Sequence, residues 1–316
     1  MALLSKKKEK WVLQRRRALK GVLIGKETTK NAQADYYYRT ALDKEFKRFI
    51  KSILNDLQKN YGVLKVYNTS VYNAKETKPS PSSILKVLKL YRGSKLAIFL
   101  RNSEKIIRKW YRLTSFNARK SIEKVLSDMT GKAVIDTIPT ASKDMLFKLA
   151  IKENVELIKN VSSQCLTNIE SIVYDGMTNG EGWADIQRGL YHQEEIAKRR
   201  VKLIARDQTA KASGALEQLT QRENGIEYFM WRTMEDERVR NSHRVLDGKI
   251  YKWGDEKDRL PIISVERGRE VHGYPKQAIQ CRCVPLPLVF LEGYKPKWDS
   301  RSRSYIIEKG KEKYVF

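Results

Sequence analysis

The stretch Trp231-Arg-Thr-Met-Glu-Asp-Glu-Arg-Val-Arg-Asn-Ser-His243 opens the part of the chain that decides its fold. It is followed by Leu246-Asp247-Gly248 and, further on, by Cys281-Arg282-Cys283. The whole chain has 3 cysteines and 3 histidines, and three of these six residues, His243, Cys281 and Cys283, lie in these motifs. Because rare and reactive side chains are concentrated here, this segment is the first candidate for a functional site.

The hydrophobic pattern changes after Gly225 from helical spacing to short runs rich in aromatic residues. Three strands are predicted from these runs: Ile226–Met234, Lys249–Trp253 and Val284–Leu291. A helical stretch over Glu237–Val245 is expected to separate the first two, with Asp247-Gly248 as a turn. We therefore predict a small α+β module over residues 197–291, with Trp231 in its core.

Residues 34–196 are predicted to be a helical domain, because apolar side chains recur there at steps of three and four. Helices are predicted over Ala34–Tyr61, Ile84–Trp110, Phe116–Met129, Ala141–Met177, Trp183–Tyr191 and Glu194–Arg222. A bend is expected near Gly93, a helix end at Gly180-Glu-Gly182, and a short strand over Val63–Tyr67. The predicted fold class is α+β: a mostly α-helical N-terminal two-thirds followed by the small module with short strands.

The chain is strongly basic, with 63 Lys and Arg against 37 Asp and Glu, a formal net charge of +26. This charge favours a polyanionic partner, with nucleic acid ahead of a membrane surface or an acidic protein. Residues 1–33 are expected to form a basic arm, either solvated or lying on nucleic acid or neighbouring subunits, and residues 292–316 a basic tail with a terminal hairpin around Gly310. The arm's candidate DNA-binding residues are Lys6, Lys7, Lys8, Arg15, Arg16 and Arg17.

No apolar run approaches the roughly 18–20 residues that a membrane helix needs, so no membrane span is expected. The N-terminal apolar residues precede the lysines, which is the wrong order for a signal peptide. Three cysteines do not make a disulfide framework, so a reducing, cytoplasmic origin is predicted. Cys165 lies in an apolar helical pattern and is expected in a core.

Asp236, Arg240 and His243 are expected on one face of a helical turn that begins at Asp236. One interpretation is structural, with Asp236 capping the turn and pairing with Arg240. The alternative is a nuclease or toxin-like enzyme, in which His243 is the general acid–base and arginines neutralise the charge on a phosphodiester. Arg238, Arg240 and Thr233 would assist it. No Walker loop, paired-carboxylate motif or nucleophile elbow supports this alternative.

Cys281 and Cys283 suggest a metal site, because one intervening residue in a strand puts both side chains on the same face. With His243 they would give zinc three ligands, and His272 or Asp236 would be a fourth. The usual chelating spacing has at least two residues between the cysteines. Two other interpretations stay open, namely reduced core cysteines and a redox pair. No cofactor other than zinc is indicated.

Several short motifs occur in an order and spacing that resemble one known family. They are Ile204-Ala205-Arg206, Gly225-Ile226, Trp231-x-Thr233, Asp236-x-Arg238-Val239-Arg240-x-x-His243, Asp247-Gly248, Pro275 and Cys281-Arg282-Cys283. Together they resemble the phage head morphogenesis family, the minor head proteins similar to protein F of bacteriophage Mu. The likeness runs from about Ala197 to Leu288. Asp207-Gln208 replaces the Thr-Glu that is common in the family.

The resemblance implies a non-enzymatic virion component, present in few copies and associated with the portal inside the capsid. It implies roles in head assembly and in genome packaging or delivery, with assembly in the host cytoplasm. The expected partners are the portal protein, double-stranded DNA, and scaffold or major capsid protein. Related modules also occur beside toxin domains, which keeps the enzymatic alternative open.

Overall fold

The computed structural model describes residues 21–29, 31–61, 81–131, 134, 138–309 and 312–314. The predicted strand Val63–Tyr67 and the six arm cations Lys6, Lys7, Lys8, Arg15, Arg16 and Arg17 lie outside the described residues. The chain forms two compact units. The sheet unit comprises Met1–Ala34, Arg112–Phe147 and Asp207–Phe316, and the helical unit comprises Asp35–Tyr111 and Lys148–Arg206.

Five long helices account for most of the described residues. They are α1 (Ala32–Tyr61), α2 (Pro81–Leu90), α3 (Leu96–Thr130), α4 (Thr140–Thr178) and α5 (Trp183–Glu223). Among the described residues, no helix combines the length and the hydropathy that crossing a bilayer requires.

The core of the helical unit is aromatic. Tyr38 and Trp110 are fully buried and stack with their ring centroids 4.5 Å apart. The Tyr38 hydroxyl donates a 2.7 Å hydrogen bond to Oδ1 of Asn154, which is buried on α4. Phe49 and Phe99 form a second stack, with ring centroids 4.7 Å apart. The helices thus bury the apolar faces that their three- and four-residue spacing predicts.

The bend predicted near Gly93 is confirmed, because Gly93 has φ −95° and ψ −110° in a kink over Tyr91–Lys95 between α2 and α3. Two other predicted interruptions between helices are wrong. Residues 111–115 continue α3, since Tyr111 and Thr114 are buried and keep the helical spacing. Residues 192–193 likewise lie inside α5, where neither Gly nor Pro interrupts the backbone hydrogen bonds.

Besides parts of α3, α4 and α5 and a 3-10 turn at Lys257–Arg259, the described residues of the sheet unit form nine short strands and one short α-helix. They are β1 (Val22–Ile24), β2 (Tyr228–Arg232), α6 (Asn241–Arg244), β3 (Ile250–Lys252), β4 (Ile262–Glu266), β5 (Arg269–His272), β6 (Val284–Phe290), β7 (Tyr294–Asp299), β8 (Ser304–Lys309) and β9 (Glu312–Tyr314). One antiparallel sheet has the order β1-β6-β2-β3-β8-β7, with β9 on β8, and β4 pairs with β5 in a separate hairpin. The fold is therefore α+β, as predicted.

Both faces of the central strands are covered. Phe229 and Trp231 of β2 pack with Trp253, Cys281 and Cys283 on one face. Met230, between them in sequence, packs on the opposite face with Ile250, Leu288 and Tyr305. Because successive residues of a strand point to opposite faces, two buried faces require an unbroken apolar run, which is what β2 has.

The strands β2, β3 and β6 lie within one or two residues of their predicted positions, and the β8–β9 hairpin is also present. The strands β1, β4, β5 and β7 were not predicted, because they are short or carry alternating charges. Helix α5 runs without interruption through position 196, where the sequence suggested a domain boundary. Residues 294–309 and 312–314, expected as a tail, belong to the sheet. The four-part division of the chain stays a prediction.

Candidate functional site

Three reactive side chains that are distant in sequence meet in the core of the sheet unit. His243 lies on α6, and Cys281 and Cys283 lie one residue apart, immediately before β6. One ligand atom from each residue lies within 4.8 Å of those of the other two. All three side chains are buried. The structure thus brings together the three residues that the sequence singled out as metal ligands, and we call them the Cys–His cluster.

The Cys–His cluster is centred on one imidazole nitrogen. Nδ1 of His243 lies 3.4 Å from Sγ of Cys283 and 3.6 Å from Sγ of Cys281. The other nitrogen, Nε2, lies 2.8 Å from the backbone carbonyl oxygen of Ile263. A carbonyl oxygen can only accept, so Nε2 carries a proton. Nδ1 is therefore the nitrogen through which the ring interacts with the thiols.

Interactions within the cluster shift the pKa values of its members in different directions. Hydrogen bonds with Cys283 and His243 lower the pKa of Cys281 to about 4, although burial acts the other way. The hydrogen bond with Cys281, together with burial, raises the pKa of Cys283. Burial lowers the pKa of His243, but the hydrogen bond and charge of Cys281 raise it, and the net direction is upward. These directions make Cys281 the more acidic of the two thiols.

Each sulfur also faces one N–H group. The backbone N–H of Lys276 helps to lower the pKa of Cys281, and the indole N–H of Trp231 acts in the same direction on the pKa of Cys283. Trp231 is fully buried and meets the His243 ring edge-to-face, with centroids 5.5 Å apart. Trp231 therefore both anchors the core, as predicted, and borders the cluster.

Asp236 does not start a helix with Arg240 and His243 on one face, because α6 begins only at Asn241. Instead, both carboxylate oxygens of Asp236 accept hydrogen bonds from Arg282 at 2.6 Å. Arg240 donates to the backbone carbonyl of Ile279 at 2.5 Å. Asp236 and Arg240 thus each hold the segment that carries the two cysteines.

The remaining motif residues shape the turn around the cluster. Thr233 donates to Oδ1 of Asp247 from its backbone N–H at 2.6 Å and from its hydroxyl at 3.0 Å. Gly248 completes the turn with φ +75°, a backbone conformation that favours glycine. The side chain of Arg238 is exposed, and its backbone N–H donates to Asp236. The predicted turn at Asp247-Gly248 is therefore present.

Neither residue suggested as a fourth metal ligand joins the cluster. His272 interacts with its own surroundings, with Nδ1 2.9 Å from the carbonyl of Leu260 and Nε2 3.4 Å from Glu270. Asp236 is occupied by Arg282. Within the described ranges, the group of potential metal-binding side chains contains only His243, Cys281 and Cys283.

The sequence analysis missed three residues that connect the cysteine-bearing segment to helix α5. Glu217 is buried and forms an ion pair with Lys276 at 2.6 Å. Asp207 accepts a 2.6 Å hydrogen bond from the backbone N–H of Gln280. Gly214 allows this close approach, since a Cβ there would lie 3.0 Å from Cβ of Lys276. A carboxylate at an apolar helical position, such as Glu217, was the available signal.

Helix α5 also presents a stripe of exposed cations within the helical unit. Arg199, Lys202 and Arg206 are exposed, and their spacing of three and four residues puts them on one side of the helix. No ion pair joins any of them to another described residue. We call these three residues the α5 stripe.

The sequence of α5 and of the module is similar to that of a known protein family. The sequence model of the family described as "Phage Mu protein F like protein" matches residues 167–286. That segment contains the α5 stripe, the Cys–His cluster and the contacts between α5 and the cysteine-bearing segment. The match covers less than half of the chain, so it shows a likeness to the phage Mu protein F-like family over this segment.

Two curated relatives are similar over longer stretches. An uncharacterized protein of Haemophilus influenzae is 26% identical over 282 residues, which cover 87% of this chain and 56% of that protein. The minor head protein GP7 of Bacillus phage SPP1 is 26% identical over 168 residues, covering 52% of this chain and 50% of that protein. The chain spans about half the length of these relatives. No solved structure matches the chain significantly.

Proposed function

We propose that this protein is a minor head component of a phage virion that associates with the portal and binds DNA without sequence specificity. The observation that carries the proposal is the family match over residues 167–286, supported by the similarity to a protein named as a minor head protein. The expected partners are the portal protein, double-stranded DNA and scaffold or major capsid protein. The proposed location is inside the capsid near the portal, after assembly in the host cytoplasm.

The charge of the chain supports the DNA-binding part of the proposal. A net charge of +26 creates a long-range attraction for phosphates, and such binding does not depend on base sequence. The exposed α5 stripe supplies cations at regular spacing inside the family-matched segment. The arm cations Lys6, Lys7, Lys8, Arg15, Arg16 and Arg17 are the second candidate contact. A protein held beside packaged genome would use both in packaging or ejection.

The environment of His243 does not favour the nuclease alternative. A general acid–base must reach the proton that it transfers, over roughly 2.6–3.2 Å. His243 is only 2% exposed, with one nitrogen bonded to a backbone carbonyl and the other facing two sulfurs. A phosphodiester therefore has no route to either nitrogen in this arrangement. We propose a structural rather than a catalytic role for the module.

DNA binding is tested by electrophoretic mobility shift on linear duplexes of unrelated sequence at several salt concentrations. We expect equal shifts for all sequences, with log affinity falling linearly with log salt. Replacing Arg199, Lys202 and Arg206 by Gln should reduce that slope by about 0.9 for each phosphate that the protein no longer neutralises. Replacing the six arm cations by Gln tests the arm in the same way.

The matched control also removes three positive charges, but at residues that already form ion pairs with acidic side chains. Lys47, Arg48 and Arg108 pair with Asp43, Glu45 and Glu104. Their replacement by Gln should change the slope much less than the stripe variant does. Absence of a shift at every salt concentration would contradict DNA binding and leave a portal adaptor. Cleavage of the DNA, lost in His243→Ala, would favour the enzyme instead.

Portal association is tested by co-expressing the protein with the portal protein of the same phage and analysing the complexes by size exclusion. Co-elution that persists after nuclease treatment would support direct contact. Co-elution that disappears with the DNA would show that nucleic acid bridges the two proteins and would contradict this part of the proposal.

A further inference from the structure

We propose that His243, Cys281 and Cys283 form a zinc site in which these three side chains are the protein ligands. The site goes beyond the proposed head function and does not depend on it, since it concerns how the module is held together. Its failure would leave the DNA and portal proposals unchanged. The proposal rests on the distances between the ligand atoms, on the orientation of the imidazole and on the N–H groups that face the sulfurs.

The distances match tetrahedral coordination. With zinc–sulfur and zinc–nitrogen bonds of about 2.3 and 2.0–2.1 Å, a tetrahedral angle places a sulfur about 3.6 Å from a nitrogen ligand. The two Nδ1–Sγ distances are 3.4 Å for Cys283 and 3.6 Å for Cys281. The two sulfurs also lie within 4.8 Å of each other. A zinc ion can therefore bind all three atoms with little movement of the chain.

The imidazole is oriented as in a metal ligand. Metal-binding histidines usually donate their second ring N–H to a carbonyl or carboxylate, which orients the ring. Nε2 of His243 does this towards the carbonyl of Ile263 at 2.8 Å. Nδ1, with a single lone pair, faces two sulfurs at once. Without a metal it can accept a hydrogen bond from only one thiol, whereas zinc engages all three atoms together.

Each sulfur is placed beside an N–H donor, which suits thiolates. The Lys276 backbone N–H donates to Cys281. The Trp231 indole, which packs in the same buried cluster as Cys283, has an N–H without a hydrogen-bond partner among the described residues. A buried indole N–H is costly unless it finds an acceptor, and a zinc-bound thiolate is a better acceptor than a neutral thiol. N–H groups on metal-bound thiolates are typical outer-shell interactions.

The site would link two parts of the module that are far apart in sequence. His243 is on α6, after β2, and the cysteines precede β6, so the link spans 38 to 40 residues. The described residues provide no fourth His, Cys, Asp or Glu ligand. In a zinc site with three protein ligands, water or another small ligand would take the fourth position.

Metal analysis of the full chain, purified without a histidine tag, tests the site. We expect ~1 zinc per chain for a single Cys2His site, and only background zinc in Cys281→Ser, Cys283→Ser and His243→Gln. The matched control is Cys165→Ser, which removes the third buried cysteine, located on α4. It should retain zinc. Zinc-free wild-type protein, or equal zinc loss in the control, would overturn the proposal.

A second measurement does not depend on the folding of the cysteine variants. Wild-type protein exchanged with Co2+ should show the intense absorption of tetrahedral cobalt with thiolate-to-metal charge transfer from two sulfurs. A weak octahedral spectrum would exclude the site. Trp231→Phe keeps an aromatic ring but removes the N–H facing Cys283, and we expect it to weaken zinc binding about tenfold in competition with a chelating dye. Unchanged affinity would overturn the role of the indole.

Discussion

The helical unit and the sheet unit are stabilised in different ways. The helical unit buries large apolar side chains along whole helix faces, as in the stack of Tyr38 on Trp110. The sheet unit has a comparable aromatic core, but specific polar pairs join its distant segments. The pairs Glu217–Lys276 and Asp236–Arg282 and the Cys–His cluster all involve the segment before β6. The first kind of stabilisation is distributed over many residues, and the second depends on a few.

The difference predicts how each unit responds to a single substitution. In the helical unit, the loss in the free energy of unfolding should increase with the apolar volume removed, because many similar contacts contribute to stability. In the sheet unit, this loss should be largest when one member of a polar pair is removed, because the buried group left behind has no compensation for its desolvation. The three predictions below test this contrast, from the largest expected effect to the smallest.

Trp110→Ala should give the largest decrease in stability, about 3–5 kcal/mol in the free energy of unfolding. Trp110 is fully buried and packs against Tyr38 and Tyr111, so alanine would leave a large cavity. Urea unfolding followed by circular dichroism measures the change. Tyr174→Ala, at a side chain 69% exposed on α4, is the control and should stay within about 0.5 kcal/mol of the wild type. Similar decreases for both variants would contradict the volume argument.

Lys276→Met should cost about 3 kcal/mol, although methionine preserves most of the side-chain volume. The loss of stability would come from Glu217, which is only 2% exposed. Of its partners Lys276 and Thr28, only the Thr28 hydroxyl would remain. The double variant Glu217→Gln with Lys276→Met should recover part of the stability, since no buried charge then remains. Chemical unfolding of the single and double variants measures the coupling.

The control for Lys276 is Lys297→Met, which breaks the more exposed ion pair with Glu308. Surface pairs contribute about 0–1 kcal/mol, so this variant should be close to the wild type. If it cost as much as Lys276→Met, burial would not explain the contrast between the two pairs.

Asp236→Asn should have the smallest effect, and the effect should depend on pH. Hydrogen bonds from Arg282 lower the pKa of Asp236 below its ordinary 3.8. A carboxyl whose pKa is lower in the folded state adds stability above its unfolded pKa and loses it as the pH falls through the folded pKa. The wild type should therefore be more stable than the variant at neutral pH. This difference in stability should disappear when the pH falls below the ordinary pKa of aspartate. Thermal melts across the acidic range measure it.

Much of the fold could be predicted from local patterns. The helices α1 and α4 and the strands β2, β3 and β6 follow from the spacing of apolar residues, because one buried face or two leave a period in the sequence. The breaks predicted within α3 and α5 were wrong, because residues 111–115 and 192–193 contain no Gly or Pro that would end a helix. The strands β4 and β5 were missed because the hairpin is short and highly charged.

The candidate site, too, was predicted only in part from the sequence. Scarcity and chemical type alone identified His243, Cys281 and Cys283, and the structure brings these three together. The proposed roles of His272 and Asp236 as metal ligands did not agree with the structure, because each has another partner. Glu217, Lys276 and Asp207 were missed, because the pairing of a helix residue with a loop residue leaves no periodic pattern.

The amino-acid sequence alone was enough to predict the fold class, the basic character of the chain, the likeness to a known family and the identity of the three reactive side chains. Composition and periodicity are properties of the chain before it folds. Only the tertiary structure decided that β1 joins the distant strand β6, and that Nδ1 of His243 faces two sulfurs. Such contacts depend on the closure of long loops and on the packing of whole elements. The distances that make chemistry possible therefore appear only in the folded molecule.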